Sequence, residues 1–148
     1  MTEIVDMKQL VIFTFLAVYL LFATGCKKED KIDSTSIQGL WELRQASGMY
    51  TINYAPGNGN TIKFTGNNYE ISSNGQISAR GQFEIIQDPS AASETCLVIA
   101  PGQFTERIIY DHIFAGKKIF MQVSNNSLSF LSGCFAYDAG SSFKYERR

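Results

Sequence analysis

Two kinds of hydrophobic pattern divide the chain. From Leu10 to Ala23 every residue but Thr14 is apolar and none is charged, a continuous run without period. From about Ile37 onward, apolar and polar residues alternate in short runs, the two-residue period of strands with one buried face. Ile37 to Ser47 sets Trp41 and Leu43 against Leu40, Glu42 and Arg44. Ile62 with Phe64, and Tyr69 with Ile71, form two alternating runs joined by Thr65, Gly66, Asn67 and Asn68, a cluster suited to a hairpin. Beyond a turn at Ser73, Asn74 and Gly75, Ile77, Ala79, Gly81, Phe83 and Ile85 oppose Ser78, Arg80, Gln82 and Glu84 in one long strand.

Asp88 to Ser93 reads as a polar connection and Cys96 to Ala100 as a short buried strand stopped by Pro101 and Gly102. Strands are then predicted over Phe104 to Phe114, Lys118 to Ser124, Leu128 to Gly133 and Phe143 to Arg147, separated by turns at Ala115–Gly116 and Asn125–Asn126 and by a loop containing Asp138 and Gly140. The spacing predicts an all-β fold with no helix after the first apolar run. Eight to nine strands at hairpin spacing point to an antiparallel up-and-down eight-stranded barrel, in which closure removes exposed sheet edges.

The first apolar run is shorter than the ~20 residues that span a membrane and has the length of a signal-peptide helix. It ends in Phe22, Ala23, Thr24, Gly25, Cys26, which resembles a bacterial lipobox. That resemblance implies cleavage before Cys26 and attachment of diacylglyceryl and an N-acyl chain such as palmitate. Two or more chains anchor stably, whereas one does so marginally. The alternative is an uncleaved anchoring helix. Glu3 and Asp6 are unusual in an n-region, whereas Met7 and Lys8 begin a conventional one, so translation from Met1 and from Met7 both stay open. The expected organisation is a signal peptide over 1–25, a lipid-anchored linker over 26–36 and a barrel domain over 37–148. In the linker, Lys27, Lys28, Glu29 and Asp30 resemble the lysine-plus-acidic-pair signal that sends some lipoproteins of the Bacteroidetes to the cell surface; the alternative is a plain solvated spacer. Both readings place the protein at the outer membrane, on its surface or its periplasmic face, with the membrane as partner through the Cys26 anchor.

Loss of residues 1–25 removes Lys8, Glu3 and Asp6 and takes the formal charge from −1 to zero, which offers no electrostatic footing for nucleic acid. With Cys26 taken by lipid, Cys96 and Cys134 remain as an even pair in a chain that leaves the cytoplasm, and a disulfide is expected between them. It would close a loop of about forty residues and stabilise by ~2 to 4 kcal/mol. A metal site is not expected, because the chain has one histidine and its thiols lack the paired spacing of zinc motifs.

Gly39, Leu40 and Trp41 match the G-x-W of the lipocalin superfamily, and with the Thr61 to Ile71 hairpin and the closing Tyr145, Glu146 and Arg147 the mature chain resembles small lipocalin-like lipoproteins of the Bacteroidetes. In lipocalins an arginine near the barrel's end lies across the first-strand tryptophan. The resemblance implies Trp41 and Arg147 as that barrel-closing pair, a stacked contact contributing ~0.5 to 2 kcal/mol. Other lipocalin motifs are not recognisable, so the resemblance speaks to shape more than to ligand.

Candidate chemistry is sparse. If Phe104 to Phe114 is one strand, its even positions set Glu106, Tyr110 and His112 on the face that lines the barrel, and Met121 joins them from the next strand. These are the candidate ligand-binding residues, polar groups that orient a ligand in an apolar cavity; the alternative leaves Glu106 and His112 wetted at the two rims. No serine elbow accompanies His112, Gly57 to Asn60 lacks the lysine and helix of a phosphate loop, and no cofactor or catalysis is expected. The expected function is binding of a small apolar or amphipathic ligand. The alternative is a protein-interaction module, a hydrolase inhibitor or an accessory subunit, working through loop aromatics with Tyr50, Tyr54 and Tyr137 as candidates.

Overall fold

The computed structural model describes residues 36–148. The signal peptide 1–25, the choice of start between Met1 and Met7, the lipidation of Cys26 and all of the linker but Ser36 lie outside the described residues.

Nine strands follow in chain order: β1 (Gly39–Ser47), β2 (Thr51–Asn53), β3 (Thr61–Thr65), β4 (Asn68–Ser73), β5 (Gln76–Gln87), β6 (Glu106–Tyr110), β7 (Ile119–Ser124), β8 (Ser127–Ser132) and β9 (Ser141–Arg147). Every pairing is antiparallel, each strand from β3 to β9 pairs with the next, and β9 returns to β1 with Trp41 opposite Arg147. The result is a closed eight-stranded up-and-down barrel of lipocalin-like form with β2 as one extra strand. Both edges of β1 are used. β9 takes one, while β3 pairs with Gly39–Glu42 and β2 with Gln45–Ser47 along the other.

Period-two alternation fills the barrel with one parity of side chains. Trp41, Ile62, Phe64, Tyr69, Phe83, Ile108, Met121, Leu128 and Phe130 form the buried core, with Ile71, Ile85, Tyr110, Ile119 and Tyr145 packed against it. The start of β1, the β3–β4 and β7–β8 turns and the end of β9 gather at one end, where Ile37 and Trp41 close the lumen. The β1–β2, β4–β5, β6–β7 and β8–β9 connections gather at the other.

Three expectations about elements are corrected. Cys96 to Ala100 is not a strand: β5 and β6 already pair with each other from Phe83 to Gln87, so this segment has no free edge to join, and Val98 is fully exposed. The connection instead carries a helix, α1 (Ala91–Thr95), which Cys96 ends in the left-handed region at φ 57°. Ala and Glu favour the helix, and Pro89 can precede it but not extend a strand. Phe104 to Phe114 is not one strand either. β6 spans only Glu106–Tyr110, because Phe104 at φ 50°, Asp111 at 52° and His112 at 57° leave extended geometry at both ends.

Some outward-facing residues are buried as well. Phe120 and Ile109 have the opposite parity to Met121 and Ile108, yet are almost fully buried. α1 packs against β8 and buries its own Ala91 and Thr95. Asp88 anchors the start of this cover, accepting from the Ser90 amide and hydroxyl and pairing with Arg107 and Lys118 from β6 and the β7 edge. Lys118 also pairs with Glu94 of the helix at 3.0 Å. A disulfide joins Cys96, just past α1, to Cys134 in the β8–β9 connection.

Candidate functional site

The upper half of the lumen holds a cavity of about 220 Å³. Its wall comes from six strands: Ile62 of β3, Ile71 of β4, Tyr110 of β6, Ile119 at the start of β7, Phe130 of β8, and Phe143 and Tyr145 of β9. Leu131, Ser132 and Ser141 complete it, so no lining side chain carries a charge. These residues meet because cross-strand partners on the inner face stack around the barrel. Ile62 sits opposite Ile71, Phe130 opposite Phe143, and Ile108, next along from Tyr110, opposite Ile119. Phe143 is 38 % exposed and stands at the mouth, where β8 turns toward β9.

Two phenols, with the hydroxyls of Ser132 and Ser141, give this wall its polarity, and Ser132 spends its proton on the Lys118 carbonyl. Tyr110 and Tyr145 both line the cavity, and neither hydroxyl has a hydrogen-bond partner among the described residues. Burial, with the neighbouring Tyr145 and Tyr69, raises Tyr110 far above an ordinary phenol; burial, with Tyr54, pushes Tyr145 up to about 12. Both are neutral O–H groups at physiological pH. The Tyr110 ring meets Tyr69 edge to face at 4.7 Å, and Phe130 meets Tyr145 at 5.9 Å.

Tyr69 carries the polarity on to the rim. Its hydroxyl donates to Asp111 Oδ2 at 2.7 Å, and the Gln82 amide donates to Asp111 Oδ1 at 2.9 Å. The Asp111 amide in turn donates to the Gln82 carbonyl, so one residue ends the β5–β6 ladder from both sides. The Tyr69 hydroxyl and the Gln82 amide hold the Asp111 carboxyl below the usual range, and burial next to it raises the Tyr69 phenol.

The four residues expected to bind a ligand separate. Tyr110 lines the cavity. Met121 is 2 % exposed within the solid core below it. Glu106 lies at the closed end, where its carboxylate accepts from Gln87 Nε2 at 2.9 Å. His112 lies outside the barrel, its exposed ring 3.5 Å from Glu84, because the left-handed turn that starts at Asp111 breaks the alternation assumed for this strand. Sequence reasoning passed over Ile62, Ile71 and Phe143 as cavity residues and used Tyr145 only as a point of resemblance. Their inward parity was the available signal.

At the closed end the Arg147 guanidinium carbon lies 4.3 Å from the Trp41 ring centroid, and the Trp41 indole donates to the Ile37 carbonyl at 2.7 Å. The Gly57 to Asn60 segment is a hydrogen-bonded loop: Asn58 donates to the Leu43 and Ala55 carbonyls and the Gly57 amide donates to Glu42. Of the expected loop aromatics, Tyr50 and Tyr137 are about four-fifths exposed and Tyr54 is half-buried. A larger concavity, about 350 Å³, lies outside the lumen on the polar face of β3, β4 and β5 and is lined by Lys63, Glu70 and Arg80. Among the described residues no group of three His, Cys, Asp or Glu side chains could hold a metal ion, and no helix is long and apolar enough to cross a membrane.

Comparison of the chain with protein families, with curated proteins and with solved structures finds no match in any of the three.

Proposed function

We propose that this chain is a lipid-anchored protein of the bacterial outer membrane whose barrel binds a small apolar or amphipathic molecule in its lumen, without catalysis. The observation that carries the reading is the uncharged cavity of about 220 Å³ inside a closed barrel. Wells of ~300 to 1,000 Å³ take drug-sized ligands, so the occupant here is smaller, one ring or one short chain. Anchoring rests on the lipobox-like Phe22–Cys26 segment. The address on the outer membrane rests on the same segment, and Lys27 to Asp30 favour its surface face.

Native mass spectrometry of the full-length chain tests the lumen. The expected result is a stoichiometric small-molecule adduct that is lost on unfolding; a folded protein that takes up no small apolar molecule at any concentration up to saturation overturns the reading. Metabolic labelling with an alkyne analogue of palmitate tests the anchor. Label is expected on the native chain and absent from Cys26→Ser, and a native chain without label removes the anchor from the proposal.

A second reading has its own support. Tyr50 and Tyr137, with Met49, Ile113 and Phe114, are exposed on three separate connections at the open end. An interaction module would use such side chains as anchors on a protein partner. Tyr50→Ser with Tyr137→Ser would then abolish partner capture in cells and leave lumenal binding intact.

A further inference from the structure

The cavity's polarity narrows the chemistry of its occupant, an argument that rests on the lumenal reading above. Ile62, Ile71, Ile119 and Phe143 supply an apolar body to the wall, and into it project two phenols whose hydroxyls lack partners among the described residues. Neither is among the side-chain atoms sealed from solvent without a partner, so both hydroxyls open onto the cavity and the water it admits. Water can serve while the cavity is empty. A ligand that displaces the water must replace the bond or lose affinity.

The charge distribution decides what kind of partner fits. No lysine or arginine lines the cavity, so a carboxylate or phosphate drawn in would lose its hydration with no cation to meet it. The charge that approaches the lumen through Tyr69 is negative: Asp111 Oδ2 lies 2.7 Å from the Tyr69 hydroxyl, and the Tyr69 ring is 4.7 Å from that of Tyr110. An anion is therefore disfavoured twice, by the absent cation and by the carboxylate at the rim. A pure hydrocarbon fits the wall but leaves both phenols without an acceptor.

From this juxtaposition we infer that the cavity selects a small uncharged molecule with an apolar body and an oxygen acceptor, such as a ketone or ester, whose oxygen accepts from Tyr110 and Tyr145. Free fatty acids and other carboxylates are excluded from the same site.

Three probes of nearly equal shape separate the possibilities in calorimetric titrations of the full-length chain at pH 7: acetophenone, ethylbenzene and benzoate. Acetophenone is expected to bind about tenfold tighter than ethylbenzene, the equivalent of one net hydrogen bond, and benzoate not at all. Tyr110→Phe with Tyr145→Phe, which keeps ring volume, is expected to abolish the preference for acetophenone, which loses its donors, while ethylbenzene, which no longer strands two hydroxyls, binds at least as tightly as before. Acetophenone binding no tighter than ethylbenzene, or benzoate binding tighter than either, overturns the inference while the lumenal reading stands. If none of the three binds, or if Ile71→Phe, which narrows the cavity, leaves all affinities unchanged in a folded protein, the lumenal reading falls and this inference with it.

Discussion

Arg147 closes the barrel by lying over Trp41, its guanidinium carbon 4.3 Å from the ring centroid, while its two terminal nitrogens donate to the Gln38 and Ser36 carbonyls at 2.7 Å each. The indole beneath is fully buried and donates to the Ile37 carbonyl. One side chain from the last strand thus ties together the entry segment and the first strand. Arg147→Met keeps an apolar stem over the indole but loses the stacked cation and both hydrogen bonds, and is expected to cost ~2 to 4 kcal/mol in urea unfolding. Arg147→Lys is expected to recover less than half, because an ammonium cannot match the planar fork.

Gly81 is small because Asp111 needs the space. A Cβ at Gly81 would collide with the Asp111 carboxylate, which lies against this stretch of β5 to accept from the Gln82 amide and the Tyr69 hydroxyl. Gly81→Ala is expected to push Asp111 away and destabilise by ~1 to 3 kcal/mol through the buried Tyr69 hydroxyl left without its acceptor. Asp111→Ala is expected to destabilise as well. The two changes together are expected to cost little more than either alone, a non-additivity that a double-mutant cycle reads directly.

The Cys96–Cys134 bridge holds the α1 cover to the β8–β9 connection and crosses 38 residues of chain, but it takes no part in the barrel's ladders. Reduction, or Cys96→Ser with Cys134→Ser, is expected to lower stability by ~2 to 4 kcal/mol and leave the barrel closed. Hydrogen exchange checks it: protection should fall at Ala91–Thr95 and around Phe135–Tyr137, and hold in β1, β8 and β9.

Three carboxyls tie stability to acid. Burial pushes Glu42 up, but hydrogen bonding from Arg44, the charges of Arg44 and Arg148 and the Gly57 amide outweigh it and hold the group below its ordinary 4.5. Asp88, held chiefly by the Ser90 hydroxyl, and Asp111, held chiefly by the Tyr69 hydroxyl, lie below 3.8. Each is more acidic folded than unfolded, so each adds stability that is complete above the unfolded value and lost as pH falls through the folded one. Urea midpoints from these groups are expected to be level above about pH 5 and to drop steadily below about pH 4. Glu42→Gln should shrink that drop while lowering stability at neutral pH, where Arg44 loses its 2.7 Å partner.

Alternation along the chain by itself determined most of the antiparallel strands and their up-and-down order, because a half-buried strand writes its inner face into every second residue, whereas the closing contact of Trp41 with Arg147 was legible only through the lipocalin resemblance of Gly39–Trp41. The Thr65–Asn68 and Asn125–Asn126 turns were legible for the same local reason, their residues being chosen for turn geometry. Cys96 and Cys134 were legible as a pair because assigning Cys26 to the expected lipid anchor left an even number of thiols. The tertiary structure alone decided the rest. Whether Cys96 to Ala100 joins the sheet depended on a free edge, and β5 and β6 had left none. Whether His112 faces the lumen depended on two successive left-handed residues, which no parity rule foresees. Which inward residues pack solid and which leave space is a matter of volumes meeting across the barrel: Met121, Phe83 and Phe64 fill its lower part, while Ile62, Ile71 and Ile119 stop short of one another above and leave Tyr110 and Tyr145 facing a cavity.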